Sequence, residues 1–122
     1  MVNYEVTGMS VKDLYRRLKR GQIVLESSNC REIAERDMEL LLRGVLSGIP
    51  FPTIVLMNEP KGYRVIFGGA VLLALKALLE SSVYEGLDDA DKFIVMRHCF
   101  YVNVITDRDS IGTIKEVFAK FR

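Results

Sequence analysis

Val11, Leu14, Tyr15 and Leu18 recur at three- and four-residue spacing with charged residues between them. That pattern predicts an amphipathic helix. Ser10, with Asp13 three residues on, provides a start of near capping-box form, and Gly21 closes the helix after Lys19 and Arg20. Ile23-Val24-Leu25 predicts a short strand. The polar turn Glu26-Ser27-Ser28-Asn29 leads into a second helix with an apolar stripe of Ile33, Met38, Leu41, Leu42, Val45 and Leu46. Asn29 is its expected cap, Glu32 favours its positive end and Gly48 stops it.

Ile49-Pro50-Phe51-Pro52 must be extended, because each proline disfavours the helical conformation in the residue before it. Thr53 to Met57 and Tyr63 to Phe67 predict two strands of a hairpin around the turn Asn58–Gly62. Gly68-Gly69 breaks the chain before Ala70–Glu80, a helix apolar on nearly every face and hence buried. Gly86 to Asp91 reads as an acidic loop or helix start. Lys92 to Thr106 reads as strand, with Arg97-His98 as a turn or bulge inside it. Asp109 or Ser110 caps a last helix whose apolar side is Ile111, Ile114, Val117, Phe118 and Phe121. The order is helix, strand, helix, strand, strand, helix, strand or hairpin, helix. This is α+β: a single domain over 1–122 with a small mixed sheet partly covered by helices.

Composition changes the picture in three ways. First, 49% of the 122 residues are hydrophobic. For so small a domain this leaves apolar surface for a partner, a second copy being the simplest. Second, 17 basic against 16 acidic residues give a net charge of +1, which excludes a global basic field for nucleic acid. A local one remains: Lys12, Arg16, Arg17, Lys19 and Arg20 make the first helix basic, as either a phosphate-tracking stripe or a solvated face. Third, the longest apolar stretch, Ala70–Leu79, is too short to span a bilayer, and Met1–Glu5 lacks a signal-peptide pattern, so a cytoplasmic protein without membrane contact is expected.

Candidate chemistry is sparse. Cys30 and Cys99 form no disulfide framework and no close metal pair, and are expected to be reduced, partly buried thiols. His98 is the only histidine; in a strand it and Cys99 would point to opposite faces and could not share an ion. Asp88, Asp89 and Asp91 lack calcium-loop spacing and suit a helix N-terminus. No metal or cofactor is expected.

Two segments carry a family resemblance. Leu46-Ser47-Gly48-Ile49-Pro50-Phe51-Pro52-Thr53-Ile54 contains Gly-x-Pro-x-Pro-x-Ile, and Val65-Ile66-Phe67-Gly68-Gly69-Ala70-Val71-Leu72-Leu73-Ala74-Leu75 keeps the frame of Val-Ile-Asp-Gly-Gln-Gln-Arg-Leu-x-Ala-Leu. In these, and in its element order from Ser10 to Phe118, the chain resembles the ParB/sulfiredoxin-like superfamily. It is most similar to the N-terminal domain of GmrSD- and SspE-type restriction and phage-defence proteins. The resemblance implies a strand–helix junction that handles a nucleotide phosphate, with backbone amides, an arginine and an acid as its tools. Here Phe67 stands for the acid, Gly69 and Ala70 for the glutamines and Val71 for the arginine, and only Gly68 is kept. Arg31 lies within one position of the family's upstream arginine. Phe118-Ala119-Lys120-Phe121-Arg122 loosely echoes the family's Phe-x-Arg-x-Asn.

The resemblance therefore implies a catalytically degenerate ParB-like domain, of viral or mobile-element origin, that binds nucleic acid or protein. A residual anion or nucleotide site would comprise Glu26, Asn29, Arg31, Gly68 and Gly69. The alternatives are a nucleotide-dependent nuclease or kinase using Glu26, Arg31 and Glu32 beside that junction, and a structural homodimer.

Overall fold

The computed structural model describes residues 3–25 and 32–121. Five strands form one mixed sheet: β1 (Tyr4–Ser10), β2 (Ile23–Val24), β3 (Ile54–Glu59), β4 (Gly62–Phe67) and β5 (Cys99–Ile105). The helices are α1 (Val11–Lys19), α2 (Glu35–Leu46), α3 (Gly69–Leu79), the single turn α4 (Ser82–Glu85), α5 (Asp89–Arg97) and α6 (Ile111–Lys120), the last preceded by a 3-10 turn at Arg108–Ser110. The strand order is β1-β5-β3-β4-β2. β1 runs antiparallel to β5, β3 parallel to β5 and antiparallel to β4, and β2 parallel to β4. The α+β expectation holds.

One face of the sheet carries the main core. Leu14 of α1, Leu41 and Val45 of α2, Leu72, Leu75 and Leu78 of α3 and Val95 of α5 pack there on Ile54, Leu56, Val65, Val102 and Val104. α3 is the buried helix its composition predicts, at about 1.5–3 kcal/mol per fully buried leucine. Among the described residues, α6 alone covers the other face. Ile111, Ile114 and Phe118 pack on Val55, Met57 and Ile105, joined by Ile66 and Phe67.

A register shift between Val55 and Leu56 explains how two consecutive β4 residues reach α6. Leu56 pairs with Val65 and Val55 with Phe67, so Ile66 is the extra residue of a bulge. Phe67 thereby rejoins the α6 face and meets Phe118 edge to face, 5.0 Å between ring centroids.

Several expectations are corrected. The segment before Ser10 is a strand, β1, that the sequence reading did not contain. Lys92–Arg97, expected as strand, belongs to helix α5, which begins at Asp89 within the expected loop or helix start. Its start signal is genuine: Asp88 accepts from the Asp91 N–H at 2.8 Å, placing the acids at a helix N-terminus. Only Val95 of its apolar residues is fully buried, while Phe93 and Ile94 are exposed. Strand begins only at Cys99, so Arg97-His98 is a helix end. The second helix starts at Glu35, with Ala34 as N-cap and Glu35 and Asp37 in its first turn. Glu32 therefore lies ahead of the helix, and Asn29 lies outside the described residues. At α6, Ser110 occupies the N-cap position without a capping bond; its hydroxyl donates instead to Asp107 at 3.1 Å.

Candidate functional site

The sequence singled out two places, and the structure treats them differently. At the strand–helix junction, Gly68 sits at φ +92° as N-cap of α3. A Cβ there would lie 3.1 Å from Cα of Ile54 and 3.2 Å from the Thr53 carbonyl oxygen. The glycine thus permits close packing of the helix start on β3, as well as a positive φ. Gly69 is buried. Phe67 and Val71 pack into the two cores on opposite sides of the sheet. Glu26, Asn29 and Arg31 lie outside the described residues. Among the described residues no group of three or more His, Cys, Asp or Glu side chains is arranged to hold a metal ion.

On α1, the five basic residues are less available than their count suggests. Ser10 caps the helix by accepting from the Asp13 N–H at 3.1 Å, as predicted. The Asp13 carboxylate then accepts from both Arg16 and, at 3.2 Å, Arg17. Arg17 also lies over the Tyr63 ring, and Lys19 over that of Tyr15. Tyr15 donates to Glu80 at 3.1 Å, and Glu80 in turn accepts from Lys76 at 3.0 Å. The Lys76 bond holds the Glu80 carboxyl below its usual range, while burial and Glu80 push the Tyr15 phenol up. No ion pair or ring contact among the described residues engages Lys12 or Arg20.

His98 does not face a reaction partner. Its ring lies 5.7 Å from Phe51 and 5.1 Å from Phe100, and burial pushes its pKa below the ordinary value. Cys99, expected to be partly buried, is an exposed free thiol at the start of β5.

An apolar groove lies elsewhere, on the α6 face. Pairing places Tyr4 beside Ile105, Val6 beside Asn103 and Gly8 beside Tyr101, so all six share that face. α6 packs on Val55 and Met57 of β3, Ile66 and Phe67 of β4 and Ile105 of β5. Between α6 and β1 runs a groove of about 400 Å³. Its floor is Val55, Asn103 and Ile105, its helix wall Thr113, Ile114, Val117 and Phe118, and its far wall Tyr4. Tyr4 is 59%, Val6 61% and Tyr101 75% exposed, and Val117 (45%) and Phe121 (79%) continue the patch along α6.

No family model, no curated protein and no solved structure matches the chain.

The groove was half legible. Ile114, Val117 and Phe118 were read as one helix side, though Val117 and Phe121 prove exposed. Tyr4 and Val6 were missed because β1 was not recognised, and Asn103 lay in an expected strand without being singled out. Large apolar residues alternating with polar ones from Tyr4 to Thr7 were the available signal. No helix among the described residues is long and apolar enough to cross a membrane.

Proposed function

We propose that this chain is a degenerate ParB/sulfiredoxin-like domain that works by binding protein, through the half of the sheet face that α6 leaves open. The observation that carries the reading is the continuity of exposed Tyr4, Val6, Tyr101 and Val117 with an apolar groove whose few polar groups are Tyr4 and Thr113 in its walls and Asn103 in its floor. Contiguous apolar surface of this kind is costly to leave wet, and grooves with a few convergent polar groups suit extended or helical peptide segments. The residues at the family's acid and arginine positions support the degenerate part of the proposal, since both are packing residues. A cytoplasmic setting accords with the free thiol of Cys99.

Panning a phage-displayed peptide library against the protein tests the reading. Selected peptides should bind Val117→Glu at least tenfold more weakly, because the charge enters the groove wall. Peptides that bind the variant equally well would overturn the groove as the working surface. Nucleic acid through α1 is the competing outcome. It would show as binding to short duplex DNA that weakens steeply with salt and loses slope in Arg16→Ala/Arg20→Ala.

A further inference from the structure

We infer that the partner at the β1 edge is a second copy of this chain, joined by antiparallel β1–β1 pairing about a two-fold axis through Val6; this rests on the protein-binding reading above. Tyr4 to Gly8 are exposed on both sides of the sheet, and among the described residues β5 is the one strand that pairs with this part of β1. Seven residues long, with neither proline nor lysine and Glu5 as its only charge, β1 lacks the usual devices that keep an edge strand from pairing.

The backbone parity of the edge is set by two hydrogen bonds. The Val11 N–H donates to the His98 carbonyl at 2.8 Å, and the Thr106 N–H to the Asn3 carbonyl at 3.1 Å. These residues bracket the β1–β5 ladder, in which hydrogen-bonded and non-bonded pairs alternate. Glu5, Thr7 and Met9 therefore turn their backbone groups toward β5, and Tyr4, Val6 and Gly8 turn theirs to the open edge.

That parity leaves three central two-fold registers. Centring on Glu5 opposes two like charges. Centring on Thr7 puts Glu5 against the buried Met9. Centring on Val6 pairs Val6 with Val6, Glu5 with Thr7 and Tyr4 with Gly8. A Cβ on Gly8 would meet nothing within 4 Å, so the space above it is open to the partner's Tyr4 ring. The apolar pairs then fall on the α6 face and the polar pairs on the other, which stays wet. The interface is isologous and extends the sheet to ten strands.

The test is sedimentation velocity across a micromolar concentration series. The wild type should approach about twice 13.9 kDa. Val6→Pro removes only an outward N–H, leaving the β1–β5 ladder intact, and should sediment as a monomer with a native circular dichroism spectrum. Val6→Lys sets a cation against its own copy without altering the backbone, and should weaken the dimer at least tenfold. A wild-type dimer that persists in both variants would place the interface elsewhere and overturn the inference. A monomeric wild type that still selects groove peptides would overturn self-pairing but keep the binding reading; one that selects none would overturn both.

Discussion

Phe67 and Phe118 meet edge to face at 5.0 Å between ring centroids, and this contact binds α6 to the sheet. It joins the end of β4 to the helix that walls the groove. An acid at 67 would have to be buried against Phe118 or solvated by displacing the helix. We expect Phe67→Asp to cost about 3 kcal/mol or more and to raise amide exchange in α6 before the main core opens. In a cycle with Phe118→Ala, Phe67→Ala should show coupling of about 1 kcal/mol. Urea denaturation and hydrogen exchange measure both. Unchanged exchange in α6 would show that Phe67 is not what holds the helix.

Two glycines should respond oppositely to the same substitution. Gly62 has φ +143°, and a Cβ on it would lie 2.2 Å from the Gln22 carbonyl oxygen, which accepts from the Tyr63 N–H at 2.7 Å. That bond begins the β2–β4 pairing, so the clash is with backbone that cannot give way. Gly62→Ala should destabilise by roughly 3 kcal/mol. Gly112, near the start of α6, has open space around it. Gly112→Ala should stabilise by several tenths of a kcal/mol through helix propensity. Denaturation midpoints of the two variants, on either side of wild type, check the pair.

What the chain revealed in advance followed from how local its signals were. α1 was legible because its cap, stripe and stop lie within twelve residues, and all three proved structural. α3 was legible because an apolar run after two glycines, interrupted by Lys76 alone, has few other places to go. α5 failed because Phe93, Ile94 and Val95 are strand-favouring residues whose order shows no helical period, and two of the three are exposed. β1 failed because its strand character depends on β5, some 95 residues away in sequence. The groove inherited that failure, since its far wall and its edge are non-local. The basic character of α1 was visible, but Asp13's hold on two arginines required side-chain positions.

His98 ties stability to pH with a definite sign. Its ring is packed between Phe51 and Phe100, and burial lowers its pKa from the ordinary 6.5. The unfolded chain therefore takes up the proton first as pH falls. His98's contribution is complete above pH 6.5 and declines as pH drops through 6.5 toward the folded value. The melting temperature should accordingly fall between pH 7.5 and 5.5, before the carboxylates titrate. His98→Phe keeps an aromatic ring beside Phe51 and Phe100 and removes the titrating group. It should flatten the profile over that interval, and an equally steep fall in the variant would assign the pH dependence to other groups.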